Sequence, residues 1–181
     1  MPIQSWEAAL PGSPGPGAAL VSSITLTDIS PAAATAGAVT LPANFLQVGS
    51  VLRLTAWGVY GNAAATPTLL LGFYYGGIAG IALAATSAFT ITTGATNWPW
   101  RLEWQGIVRS TGTAGSIMGQ GFSQFPTSLT AFAQRAMPET AMATVAIDTT
   151  LSKIVTVGAQ WGTSAAANTI QCHGLIAESV A

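Results

Sequence analysis

The sequence predicts an all-β fold of two packed antiparallel sheets, and three observations carry that prediction. Clusters of Gly, Pro, Asn and Ser punctuate the chain roughly every 8 to 14 residues, the spacing of a sandwich or barrel. Between them lie short runs of β-branched and aromatic residues that alternate with a period of two. Nowhere does a helix cap precede a sustained 3.6-residue period. The best helix candidate, residues 128–137, contains LTAFAQRAM and reads as a loop or irregular strand. About nine strands follow from this punctuation; the expected arrangement is a jelly roll, with an immunoglobulin-like sandwich as the alternative, although no Cys-Trp-Cys core is present.

Taken in order, residues 1–17 form an extended Pro/Gly-rich N-terminal arm ahead of a single domain at 18–181. Its PGSPGPG run fixes φ and removes donors, so that run suits neither helix nor ladder. Ile3 and Trp6 are its candidate anchors on a partner, against the plainer reading of a solvated leader. Residues 18–29 alternate as a first strand, residues 31–38 are a small-residue loop, and residues 37–41 give a short second strand. The central strand follows the Val48-Gly49-Ser50 corner. On it Val51, Arg53, Thr55, Trp57 and Val59 share one face, while Leu52, Leu54, Ala56, Gly58 and Tyr60 share the other. Neither face is fully polar, so both are expected to be covered, one by a second sheet and one by a neighbouring segment or subunit. Further strands are expected at 68–75, 81–93 after the Gly76–Gly80 hairpin connection, 98–110, 116–122, 141–148, 153–161 and 169–180.

Composition narrows the function. Of 181 residues only 6% are charged, against about 25% in an ordinary soluble domain, while 50% are hydrophobic. Mean hydropathy is +0.50. No apolar window is long enough to span a bilayer as a helix, and the Ser/Thr/Ala-rich strands fit a lipid-facing barrel poorly. Burial against other protein remains as the explanation. Arg53, Arg101, Arg109, Arg135 and Lys153 are scattered, and the formal net charge is −1, so direct nucleic-acid binding is not expected. The start MPIQSWEAAL shows no basic and apolar signal regions, so the chain is expected to be made in a cytoplasm and left unprocessed.

Chemistry is sparse. Cys172 and His173 are neighbours on a strand, so they point to opposite faces and cannot share a metal or act as a nucleophile pair. Glu7, Asp28, Glu103, Glu139, Asp148 and Glu178 lie in separate segments with no glycosidase-like spacing. Asp148 opens an Asp-Thr-Thr turn whose backbone donors its side chain should cap. Glycine stretches near Gly61 and Gly112 lack the Lys and helix of a phosphate loop. No catalytic residue, cofactor or metal site is expected. The most unusual stretch is NWPWRLEW, where Trp98, Trp100 and Trp104 flank Arg101 and Glu103. It reads either as core and intersubunit packing or as a platform on which sugar rings stack.

The segments LPANFLQVGSVLRLTAWGVYG, TPTLLLGFYYGG, TNWPWRLEWQGIVRSTGTAGS and IDTTLSKIVTVGAQWGTSAAANTIQCHGLIAE, in that order, resemble a pattern in minor structural proteins of tailed bacteriophages. The resemblance spans residues 39–178. It implies a non-enzymatic β-sandwich subunit of the virion, often trimeric, acting in capsid decoration or in the tail. The expectation is a homotrimeric decoration protein on the capsid exterior whose partner is the major capsid protein. Ile3, Trp6, Trp98, Trp100 and Trp104 are its candidate contacts. The alternative is a tail-fibre or virion-surface domain that binds host glycan through Trp98, Trp100 or Trp104.

Overall fold

A computed structural model describes residues 7–10 (backbone only), 15–31, 39–62, 67–128 and 130–180. Fourteen strands appear there in chain order. The first eight are β1 (Glu7–Leu10), β2 (Leu20–Val21), β3 (Thr27–Asp28), β4 (Val39–Leu41), β5 (Val51–Gly61), β6 (Thr68–Tyr75), β7 (Ile81–Ala85) and β8 (Phe89–Thr90). The rest are β9 (Trp98–Ser110), β10 (Gly115–Ser128), β11 (Ala131–Met137), β12 (Val145–Ile147), β13 (Lys153–Trp161) and β14 (Thr169–Val180). The fold is an all-β sandwich. Its larger sheet runs β1-β14-β5-β9-β10-β11, with β12 beside β10 and β2 beside β14. Its smaller sheet runs β3-β13-β6-β7, with β4 beside β13 and β8 beside β6. Every pairing is antiparallel.

Alternation explains the core. Leu52, Leu54 and Ala56 on β5, Leu102 on β9 and Ile117 on β10 face inward against Leu69, Leu71 and Phe73 on β6 and Val155, Val157 and Trp161 on β13. Each such aliphatic side chain contributes about 1.5–3 kcal/mol when fully buried. An aromatic series closes one end of the layer: Trp98 meets Tyr60 edge-on at 6.4 Å, Tyr60 meets Phe125 at 5.9 Å, and Phe125 meets Phe89 at 4.7 Å. The Tyr60 hydroxyl donates to the Pro126 carbonyl at 3.0 Å, which satisfies its polar tip in that apolar setting.

Several local expectations need correction. The single strand expected at 18–29 is broken at Ser22, whose φ of 59° lies in the left-handed region. Ser23 and Thr25 then bond one another locally, a side-chain alternative to the ladder. The chain thereby changes sheet, β2 joining β14 and β3 joining β13. The strand expected at 81–93 is split at Thr86, whose hydroxyl accepts from the Leu71 N–H at 3.1 Å. Of the two readings of the 128–137 segment, loop or irregular strand, the strand is found: residues 131–137 pair with β10, with a register shift between Pro126 and Ser128. Part of the expected N-terminal arm is also sheet: β1 pairs with β14 from Glu7↔Val180 to Leu10↔Ala177. At the other limit of that segment, the Gly17 N–H donates to the Cys172 carbonyl at 2.8 Å.

Candidate interaction surfaces

Of the five candidate contact residues, Ile3 and Trp6 lie outside the described residues. The other three line the inner side of β9. Trp100 and Trp104 are 2% and 3% exposed, and Trp98 is half-buried against the core. The Trp100 indole N–H donates to the Val59 carbonyl at 3.2 Å. Trp104 fits because Gly106 and Gly119 lack side chains: a Cβ on either would run into its ring. Alternation places Arg101 and Glu103 on the opposite, outer side, where they form an ion pair. The indoles therefore turn away from the charges beside them in sequence. Neither Trp100 nor Trp104 has a face to offer a capsid, a neighbouring subunit or a sugar, because each ring is packed between the sheets.

Among the described residues, the outer face of the larger sheet carries exposed and half-buried side chains. Cross-strand register brings Arg53 between Gln105 and Glu178, Thr55 between Glu103 and Ile176, and Trp57 beside Arg101. Gln105 and Glu103 in turn face Gln120 and Phe122 of β10. Three depressions run along this face. One of about 450 Å³ is lined by Thr55, Trp57, Arg101, Ile176 and Glu178. The next, about 310 Å³, shares Thr55 and Glu178 and adds Arg53, Glu103, Gln105 and Gln120. A third of about 370 Å³ continues past Arg53 and Gln105 toward Arg109 and Met142.

Trp57 stands out on this face. It is 40% exposed, and its ring lies over Gly174, where a Cβ would collide with the indole. A bulge on β14 creates that seat: Cys172 pairs with Gly58 and Gly174 with Trp57, leaving His173 unpaired between them. Cys172 points inward, and burial pushes its thiol pKa up to about 12. His173 points to solvent, its ring nitrogen 3.2 Å from the Gln171 side-chain oxygen. Among the described residues, no three metal-ligating side chains converge.

The second surface is the free edge at β11. Six of its seven residues are exposed, only Met137 being buried, and Phe132 is 62% exposed. Arg135, itself exposed, reaches over the Phe89 ring, its guanidinium 4.9 Å from the ring centre and 3.0 Å from Glu139. Desolvation raises the Glu139 pKa, but hydrogen bonds from Arg135 and Ser87 outweigh it and hold the carboxyl below its ordinary range. The edge meets solvent mainly with Ala, Phe and Gln.

Trp57 and Phe132 are the residues that the sequence reading passed over. The Trp57 face was legible from alternation, but its seat depends on a bulge across two strands. Phe132 belonged to a segment with no clear period. Compared with known proteins, the chain matches no protein-family model and no curated protein sequence.

Proposed function

We propose that this chain is a non-enzymatic structural subunit of a virion, a capsid decoration protein that binds and stabilises the major capsid lattice as a homotrimer. The observation that carries the reading is the open β11 edge. A seven-residue strand that exposes Phe132 and, among the described residues, ends the strand order is an element that partners cover. The 6% charged composition supports the same conclusion, since such a surface gains little from standing alone in water. The virion setting rests on the resemblance of the ordered motifs between residues 39 and 178 to minor structural proteins of tailed bacteriophages. The mechanism is burial, contributing about 25 cal/mol per Å² of apolar area before the costs of association.

The test is co-sedimentation of the purified protein with tail-free, undecorated heads of the virus that encodes it. Saturable binding at a fixed ratio to the capsid subunit is expected. Phe132→Lys should lower occupancy by about fivefold or more while the native strand signal in circular dichroism is kept, because Phe132 is exposed within its own chain. Absence of binding sinks the decoration role, and full occupancy by the variant removes β11 from it. In the alternative reading, host-glycan binding through Trp98, Trp100 or Trp104, the burial of Trp100 and Trp104 leaves the half-buried Trp98 as the available indole of the three. Trp57, 40% exposed, is a further indole at the surface.

A further inference from the structure

We infer that the outer face of the larger sheet binds an uncharged oligosaccharide, with Trp57 as the stacking platform and Arg101, Glu103, Arg53 and Glu178 as its hydroxyl-binding rim. The inference does not rest on the virion assignment, and it leaves β11, three strands away from β5, free for assembly.

Three features select this ligand class. The first is a preformed flat ring. The Trp57 indole lies against the sheet over Gly174 with its other side toward solvent. Among the described residues, no aromatic ring or cation stacks on it. A pyranose presents an apolar patch of C–H groups that such a ring can cover, and a ring already seated loses little freedom on binding.

The second feature is charge balance. Along the first two depressions Arg53 and Arg101 are matched by Glu103 and Glu178, and Arg101 is already paired with Glu103; the third depression adds the single cation Arg109. A phosphate or polyanion needs converging cations, and a cationic peptide needs converging carboxylates. Neither convergence exists here. Guanidinium, carboxylate and amide planes side by side instead offer donors and acceptors in pairs, which suits adjacent hydroxyls.

The third feature is length. The depression at Trp57 shares Thr55 and Glu178 with the next one, which shares Arg53, Gln105 and Gln120 with the third. From Trp57 to Val51 the face extends for six residues, or roughly 20 Å at about 3.4 Å each. A chain of sugars fits that groove better than a single one does.

The experiment uses the full chain immobilised and probed with cellohexaose, maltohexaose, chitohexaose, mannohexaose and purified neutral bacterial polysaccharides. Retention of at least one is expected. Trp57→Ala should weaken it by about tenfold or more, with Trp57→Phe partly restoring it. Gly174→Ala, which lifts the indole from its seat, should weaken it while keeping the ring. Arg101→Gln combined with Glu103→Gln disturbs only exposed rim groups; it should cost several-fold and decides the matter if a Trp57 or Gly174 variant fails to fold. No retention of any sugar overturns the inference. So does undiminished binding by folded Trp57→Ala, or by the rim variant.

Discussion

Gly58 shows how little room the β5–β14 seam allows. A Cβ there would collide with the Gln171 carbonyl oxygen and lie 2.9 Å from the Trp100 ring. Gly58→Ala should therefore destabilise the fold by about 1–3 kcal/mol, read as a lower urea midpoint at unchanged slope. The tyrosines give a second residue-scale outcome. Tyr60, Tyr74 and Tyr75 all have pKa values raised by burial, Tyr60 to about 12, while an unfolded tyrosine ionises near about 10. Folding thus favours the neutral phenol. The stabilisation is whole below about pH 10 and is lost as pH rises toward about 12. Tyrosinate absorbance should appear together with loss of the native circular-dichroism signal, and Tyr60→Phe should flatten the alkaline fall in stability. Tyrosinate appearing near pH 10 in a protein that stays folded would contradict the assignment.

At the scale of elements, Thr86 carries the join between β7 and β8. Its N–H donates to the Leu71 carbonyl at 2.8 Å and its hydroxyl accepts from the Leu71 N–H at 3.1 Å. Thr86→Val keeps the shape but orphans a buried donor on β6, so a loss of about 1–3 kcal/mol is expected, measured by thermal unfolding. A neutral result would mean that water reaches Leu71. The same residue shows the limit of reading strands from sequence. Strands β6, β9, β13 and β14 lie at the expected 68–75, 98–110, 153–161 and 169–180, because alternation and flanking turns act locally. The interruptions at Ser22 and Thr86 arise from side chain to backbone bonds that compete with a ladder. Strand β11 was obscured because Ala131, Ala133 and Ala136 give no contrast between faces; its strand state comes from the β10 ladder. The turn at Asp148 was legible, since Asp-Thr-Thr is a local motif. Its carboxylate accepts from the Thr150 N–H at 2.9 Å and the hydroxyl at 2.6 Å, and these bonds hold its pKa below the ordinary value.

For the whole molecule, among the described residues, the larger sheet ends in β1 and β2 beyond β14 on one side and in β11 and β12 beyond β10 on the other. A subunit with edges of this kind can join copies head to tail, and a ring follows when the rotation closes. The proposed homotrimer is consistent with that geometry, and its driving force can be separated from electrostatics. The net charge is −1 with five Lys and Arg residues against six Asp and Glu, and the described ion pairs, Arg101–Glu103 and Arg135–Glu139, lie within the chain. Screening should therefore matter little to contacts between copies. Light scattering on the full chain should give the same oligomer mass at about 0.1 M and about 1 M salt, although the Debye length falls from about 10 Å to about 3 Å. Phe132→Lys should lower that mass at both concentrations, because it places a charge on an apolar edge rather than removing an ion pair. Dissociation in high salt would mean that charged side chains hold the copies together, and it would shift the contact from β11 to the Arg- and Glu-bearing outer face around Arg53 and Glu178.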